Sequence, residues 1–583
     1  MSGPRNFVFL AVNASYSHSS LAAWCLRGTV DPQAWAWHTV EATINDDVAA
    51  VEDRVAALDP AVVGATLYLF NRKVVAAILS GLRQRCPRAI IVVGGPECLG
   101  DNRRLLETIA ADAAVRGEGE RALPALLNVL DTPGQWATVP GVCAGTGDGY
   151  RDGRSAEVID NLNELPSFYD AVLPGLAKPF VQLETARGCE NGCLFCTSRD
   201  TRVRLRSVER VRADLETIRR HGVRYVRVVD RTFNAGAERA LSLVRLFRDD
   251  FPELRFHLEL DPARVSERFA DELAAAGPGR FHVEAGVQSL SEAVQVRIGR
   301  ESTPARTLAG LARLCARPEI AVHVDLIAGL PGGTLAALKN DVATLIRLRP
   351  AEIQLERLKL LPGTPLAERP EQWGLVGNPE PPYEVRETAT MTADDLHKAD
   401  GLRRFLDGFY NAAGLQAFVI AAVENDASFL DATLQELDVM RSSHTVSRAS
   451  LEGAASSAPV TGTPAARALR LRSGQAHGPP FGEGGRAPLE ERFRALHRVL
   501  VGQGNAAARG LELEWIRRGF SLRHGLCPAQ PWKQPLPPGC VLIEGDEHRP
   551  QLRRWRVELE RLHFVCYGTG ADGARCVVAV YRG

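Results

Sequence analysis

Short apolar runs alternate with amphipathic stretches along the first 145 or so residues of the chain. Phe7–Val12, Thr39–Ile44, Val62–Leu69, Ile90–Val93 and Ala113–Arg116 read as strands, and Asp47–Leu58 and Lys73–Arg85 as helices. Near-continuous apolar strands separated by helices predict a doubly wound parallel sheet, whose ligands bind at the carboxyl ends of the strands. The rhythm returns later in the chain. Phe180–Leu183, Tyr225–Val229, Phe256–Leu260, Phe281–Glu284, Val322–Ile327 and Ile353–Leu358 are strand-like. Helical segments Val208–Arg220, Glu238–Asp249, Val265–Ala275, Thr303–Cys315 and Thr334–Leu348 lie between them. Six such repeats predict a partial barrel with its chemistry at the strand carboxyl ends.

Beyond the barrel the pattern weakens. Ala389 to Leu437 reads as helical, with Leu396, Leu402, Phe405 and Phe409 on one stripe. Arg441 to Pro488 is rich in Ser, Ala, Gly and Pro, which suits a flexible insert. Leu489–Val501 then reads as a helix, Cys527–Cys540 as a Pro/Cys-rich loop, and Leu562–Tyr567 and Arg575–Tyr581 as strands.

At 583 residues the chain is long enough for several domains. Its 70 basic and 70 acidic side chains balance, which argues against a nucleic-acid or anionic-membrane partner. The arginine-rich stretch Arg199 to Arg231 interleaves with Glu209, Asp214 and Glu216, as a solvated helix face does. No apolar run reaches membrane-spanning length, and nine of the twelve cysteines are scattered, as in a reduced, cytoplasmic protein.

The other three cysteines stand close together in Glu184-Thr185-Ala186-Arg187-Gly188-Cys189-Glu190-Asn191-Gly192-Cys193-Leu194-Phe195-Cys196. A zinc site would normally add a second pair of Cys or His ligands, and none follows nearby. Three grouped thiolates suit an iron–sulfur cluster with one iron left open. This C-x-x-x-C-x-x-C spacing, with its E-T-A-R-G-C flank, resembles the radical S-adenosylmethionine (SAM) superfamily. So do the strand-end segments Glu284-Ala285-Gly286-Val287-Gln288-Ser289, Asp325-Leu326-Ile327-Ala328-Gly329-Leu330-Pro331-Gly332 and Leu358-Lys359-Leu360-Leu361-Pro362-Gly363-Thr364. Val93-Gly94-Gly95-Pro96-Glu97 and Val115-Arg116-Gly117-Glu118-Gly119-Glu120, ahead of that core, resemble the cobalamin-binding domain of many radical SAM proteins. The mutase motif D-x-H-x-x-G is missing, so His18 is expected at the corrin edge rather than below cobalt.

The resemblance covers about the first two thirds of the chain and implies an α/β fold. A doubly wound, Rossmann-like cobalamin-binding domain is expected at 1–145, a connector at 146–174 and a partial (β/α)6 TIM-type radical SAM barrel at 175–385. A helical extension at 386–440, a flexible insert at 441–488 and a small α+β unit at 489–583 would follow. It implies a [4Fe–4S] cluster on Cys189, Cys193 and Cys196, with SAM held by Asp230, Thr232, Asn234, Glu259, Glu284, Gln288 and Ile327. Cobalamin would meet Asn13, Ser15, Ser20, Tyr68, Asn71, Gly94, Gly95, Pro96, Glu97, Gly117 and Glu118, with the Leu67–Asn71 turn at the lower cobalt face or simply packing a strand end. Arg187 is expected either beside the cluster or in a structural salt bridge. The implied activity is reductive SAM cleavage and methylation of an unactivated carbon in a small molecule or peptide. Electrons would come from a flavodoxin- or ferredoxin-type donor. A cobalamin-linked cyclisation, ring contraction or oxidation, and a non-enzymatic binding module, are the alternatives.

Overall fold

The computed structural model describes residues 3–435, except 147, 148, 175, 177, 413 and 427, then residues 489–503, Ala508, Leu511 and five strands of the carboxyl-terminal segment. The expected flexible insert lies outside the described residues.

The amino-terminal sheet is built from β1 (Arg5–Asn13), α1 (Leu21–Arg27), β2 (Trp35–Thr43), α2 (Val48–Ala56), β3 (Val62–Thr66) and α3 (Arg72–Arg85). It continues through β4 (Ile90–Gly94), α4 (Asn102–Thr108), β5 (Ala113–Val115) and α5 (Gly119–Asn128) to a hairpin of β6 (Val142–Thr146) and β7 (Gly149–Arg151). The strand order is β2-β1-β3-β4-β5-β6-β7, parallel up to β5 and antiparallel from there. The sheet therefore runs past the expected boundary at 145. β1 is buried along Phe7–Val12 because both faces are covered. Val8, Leu10 and Val12 pack with Val63, Ile91 and Val93 under Val75, Ile78 and Leu79 of α3. Phe7 and Phe9 alternate to the opposite face. The switch in strand order falls between β1 and β3, so the loops after these strands open onto the usual ligand crevice of such sheets.

After a short α6 (Tyr169–Val172), the barrel begins with β8 (Val181–Leu183). A two-stranded antiparallel ribbon follows, β9 (Ala186–Cys189) and β10 (Thr201–Leu205), then α7 (Val208–Arg220) and β11 (Tyr225–Val228). The repeats continue as α8 (Ala237–Asp249), β12 (Arg255–Leu260), α9 (Glu267–Ala274), β13 (Phe281–Gln288), α10 (Glu292–Arg297), α11 (Pro304–Cys315), β14 (Ala321–Ala328), α12 (Leu335–Leu348) and β15 (Glu352–Arg357). The six strands stand in the order β15-β14-β13-β12-β11-β8. Along β12 and β13 buried apolar residues alternate with half-buried polar ones. Phe256, Leu258 and Leu260 face the helices, while His257 and Glu259 face the lumen. A short α13 (Pro365–Glu368) and a hairpin of β16 (Leu375–Gly377) and β17 (Val385–Thr388) complete this part.

Contacts divide the chain into two compact units, one holding residues 1–338 and 356–396, the other residues 339–355 and most of the chain from 397 onward. In the second, Tyr410 donates to the Pro350 carbonyl (2.6 Å) and Asn411 bonds both backbone groups of Ile353 (2.9 and 3.0 Å). α14 (Ala393–Phe405) precedes one π-helical turn, Leu406–Tyr410, and α15 (Gln416–Asn425). Leu396, Leu402, Phe405 and Phe409 are buried, as their spacing predicts. α16 (Leu489–Gly502) comes next, and β18 (Ala529–Trp532), β19 (Val541–Gly545), β20 (Arg553–Glu558), β21 (Leu562–Thr569) and β22 (Arg575–Arg582) form an antiparallel sheet. β18 falls inside the segment expected as a loop. Among the described residues no helix is long and apolar enough to cross a membrane.

Candidate active site

The cysteine loop is the hairpin end of the β9–β10 ribbon. Gly188 sits at φ +108°, and a Cβ there would lie 2.4 Å from the Arg202 carbonyl oxygen, so the ribbon closes only with glycine before Cys189. The Cys189 amide donates to Thr201 Oγ1 (2.9 Å). A tight turn brings the Cys196 amide to the Cys193 carbonyl (3.0 Å), and the Ser198 amide donates to Cys196 Sγ (3.4 Å). The Leu194 amide is held by the Ile298 carbonyl (2.9 Å), next to a close approach of Gly299 and Gly192.

All three cysteines carry free thiols. Burial pushes the Cys193 thiol up to about 11, while the charge of Arg300 works against it. Among the described residues no trio of His, Cys, Asp or Glu converges as the ligands of a single ion do. Three thiols on one loop, with an amide donor to sulfur and a nearby guanidinium, fit a cluster whose thiolate charge needs compensation.

Asp230, at the end of β11, is buried beneath this loop. It accepts from the Thr185 amide (2.7 Å), the Ala186 amide (2.9 Å) and the Thr185 hydroxyl. Its oxygens are thus spent on the segment leading into β9. Asn234 is likewise committed, pairing with the backbone of Asp261 through both side-chain ends (2.9 Å each). Thr232 lies 3.5 Å from Cys189 Sγ. Glu259, Glu284, Gln288 and Ile327 line the lumen face of β12, β13 and β14. Gln288 takes φ +69° at a bulge opposite Leu326, an uncommon conformation for a side-chain-bearing residue. Burial pushes the Glu259 carboxyl up to about 7, with Arg231, 4.0 Å away, opposing.

Three lumen histidines escaped the sequence reading. His257, His282 and His323 each precede an acid by two positions, in Phe256-His257-Leu258-Glu259, Phe281-His282-Val283-Glu284 and Val322-His323-Val324-Asp325. This repeated H-x-acid phrase was the available signal. His257 Nδ1 lies 3.1 Å from His282 Nδ1, and His257 Nε2 3.1 Å from Glu284. His323 Nε2 is 3.2 Å from Asp325. Burial pushes Glu284 up, but the His257 hydrogen bond and the neighbouring imidazoles outweigh it and hold the carboxyl low. Burial raises Asp325, the His323 hydrogen bond opposes this, and the charge of Glu284 adds to the rise.

In the amino-terminal sheet, a cavity of about 300 Å³ opens on the Phe7 and Phe9 face. Its walls include Gly64, Tyr68, Gly94, Gly95 and Gly117. A Cβ at Gly64 would lie 2.7 Å from the Phe7 ring. Gly95, at φ +101°, passes so close to Leu67 that a Cβ would meet its carbonyl at 2.8 Å. Asn71 ties the intervening turn to the sheet, accepting from the Tyr68 amide and donating to Val12 and Thr66 (2.8, 2.9 and 3.0 Å). The turn therefore presents Tyr68 stacked on Phe70, ring centroids 5.2 Å apart. Burial raises the Tyr68 phenol and the charge of Arg231, at the barrel mouth, opposes that rise. A concave wall of glycines and aromatic rings fits a large planar cofactor such as cobalamin.

The other expected cobalamin residues divide. Asn13 ends β1, its carbonyl accepting from the Ile44 amide (3.0 Å). Ser15 bonds Ser17 and His18 Nδ1 (2.8 and 2.9 Å), and Ser20 caps α1. His18 packs edge-on against Phe180, and burial, then Arg227 and Lys178, lower its pKa. Pro96 starts a short 3-10 turn. Glu97 is buried and bound by Arg72 (3.2 Å) and the Tyr383 hydroxyl. Glu118 is also engaged, with Arg204 (2.6 Å), Arg187 (3.3 Å) and the Ile159 amide (3.1 Å). Burial pushes its carboxyl up, but the Arg204 hydrogen bond and the Arg187 charge outweigh it and hold it below its usual range.

Fold and site together define a cobalamin-linked radical SAM architecture. Residues 8–127 match the B12 binding domain and residues 183–345 match the Radical SAM superfamily, so a B12-binding domain is joined here to a radical SAM domain. Their cofactors are cobalamin, a [4Fe–4S] cluster and SAM. The chain is 25% identical to the cobalamin-dependent radical SAM methyltransferase TokK of Streptomyces tokunonensis, over 56% of this chain and 51% of that protein. Its fold is similar to that of the cobalamin-dependent radical SAM enzyme OxsB (TM-score 0.61, 14% identity, 90% of this chain, 82% of the other). It also resembles the radical SAM methyltransferase TsrM of Kitasatospora setae (TM-score 0.53, 20% identity, 67% and 80%). The chain spans about half the length of the first curated relatives it matches.

Proposed function

We propose that this chain is a cobalamin-dependent radical SAM methyltransferase acting on a carbon of a small molecule or peptide. When bound, the cofactors supply one-electron reductive cleavage of SAM and transfer of a methyl group. Cys189, Cys193 and Cys196 hold the cluster, and Asp230 with Thr201 holds the loop that carries them. Thr232, Glu259, Glu284, Gln288 and Ile327 offer SAM its hydroxyl and ammonium acceptors and an apolar wall. Tyr68, Gly94, Gly95 and Gly117 form the cobalamin cradle. Asp230, Asn234, Glu97 and Glu118 keep those surfaces in place through the bonds described above. Positioning and exclusion of water are what such a protein adds to its cofactors.

The observation carrying this reading is geometric: Glu184 and Arg187, which lead into the loop of Cys189, Cys193 and Cys196, also line the glycine-rich cavity of the amino-terminal sheet. A flavodoxin- or ferredoxin-type donor and a reducing, cytoplasmic setting complete the proposal.

The test is anaerobic reconstitution with cluster, cobalamin and SAM carrying a labelled methyl group, incubated with a metabolite extract. Label moving into a component of the extract supports methyl transfer. 5′-Deoxyadenosine released without movement of label contradicts it.

A further inference from the structure

The ribbon that carries the cluster cysteines contains an electrostatic fault. Arg187 on β9 and Arg204 on β10 are directly opposed. Like charges opposite one another destabilise a two-stranded pair unless something neutralises them. Two of the neutralising groups come from the amino-terminal domain and a third from the segment leading into β9. Glu118 binds both arginines, one oxygen 2.6 Å from Arg204 and the other 3.3 Å from Arg187. Glu120, from the first turn of α5, is 2.8 Å from Arg187. Glu184 accepts from Arg187 at 2.7 Å and is held in turn by Arg206 (3.2 Å).

Arg204 and Arg206 are almost wholly buried, with side chains 6% and 4% exposed. A buried pair that loses one partner leaves a costly uncompensated charge, so the network forms as a whole or is disrupted as a whole. Three of these residues, Glu120, Glu184 and Arg187, also line the 300 Å³ cavity, beside Gly117 and Gly119 on either side of Glu118. One guanidinium is therefore at once a wall of the cavity and the second residue before Cys189.

We propose that Arg187 and Glu118 are positioning residues that couple cobalamin binding to cluster binding. A filled cavity fixes the Gly117–Glu120 loop, which neutralises the ribbon and sets the cysteine loop in its cluster-holding form. A held cluster fixes the ribbon and pre-forms the cavity wall. Because binding linkage is reciprocal, each cofactor tightens the other by the same factor. The inference rests on the cobalamin reading above.

The test is a pair of absorbance titrations with hydroxocobalamin, on the full-length chain before and after reconstitution of the cluster. The wild-type protein is expected to bind hydroxocobalamin about 5-fold or more tightly with the cluster in place. In Glu118→Gln, which keeps the shape but removes the neutralising charge, the ratio falls toward one. Arg187→Lys, which keeps the charge but loses the fork, falls between. A role confined to folding would lower the melting temperature of the variants and leave the ratio alone. An equal affinity with and without cluster in the wild type, or an unchanged ratio in Glu118→Gln, overturns the coupling. Failure of the wild-type protein to bind hydroxocobalamin in either state overturns the cobalamin reading itself, and the coupling with it.

Discussion

The two proposed cofactor surfaces of the first unit have opposite linings. The cavity of the amino-terminal sheet is walled mainly by glycines, Phe7, Phe9, Val92, Val93 and Tyr68, and its charges, Glu120, Glu184 and Arg187, pair with one another. The barrel lumen presents His257, Glu259, His282, Glu284, His323 and Asp325, with Arg231 4.0 Å from Glu259. An apolar, close-packed wall selects by shape and area, whereas a lumen of titratable groups selects by charge. Both surfaces depend on polar groups hidden behind them, so the comparison can be broken from either side.

The largest effect is expected on the cluster. Cys193→Ala should lose the cluster absorbance and reduce SAM cleavage to background, while hydroxocobalamin binding remains measurable. Next is the support behind the cysteine loop. Asp230→Ala leaves the buried amide of Thr185 and the half-buried amide of Ala186 without an acceptor, at a cost of about 2–4 kcal/mol. Thermal unfolding of the apo chain measures it, and a change within error would show that Asp230 is not the prop the geometry makes it.

Filling the cradle should separate the two surfaces. Gly64→Val forces side-chain atoms against the Phe7 ring and into the cavity. Hydroxocobalamin affinity should fall by about 10-fold or more, with reductive SAM cleavage retained. Equal losses in both assays would mean that the surfaces are not distinct.

The smallest effect is a pH dependence in the lumen. The folded-state pKa of Glu259 is raised to about 7, mainly by burial. Its contribution to stability is therefore fully present below the unfolded carboxyl value and is lost as pH rises through about 7. Glu259→Gln should be more stable than wild type by about 1 kcal/mol at pH 8, water access to the lumen reducing the full shift, and the gain should fade toward pH 4.5. SAM binding should weaken in the same variant. A stability difference independent of pH would contradict the assignment.

Much of this was legible in the residue pattern. Apolar runs and their crossover helices gave both sheets, because parallel strands buried on two faces write themselves as continuous or alternating apolar runs. The cysteine loop, the glycine turns and the lumen acids were also readable. The jobs of several site residues were not. Asp230, Asn234, Glu97 and Glu118 look like ligand contacts in sequence, yet their partners lie tens to hundreds of residues away, Thr185 for the first and Tyr383 for the third. Local pattern carries no record of such pairing. The opposition of Arg187 and Arg204 was hidden for the same reason, since nothing in the sequence announces the β9–β10 ribbon. The three histidines were readable in principle: the H-x-acid phrase recurs at the same place on successive strands, but each copy alone looks like ordinary alternation.

The most direct test is metal analysis of the chain reconstituted with iron, sulfide and saturating hydroxocobalamin, beside the variant in which Cys189, Cys193 and Cys196 are all alanine. The account predicts about four irons and about one cobalt per wild-type chain, and in the variant loss of the iron with the cobalt kept. Iron retained by the variant, or no cobalt held by either protein, would contradict it.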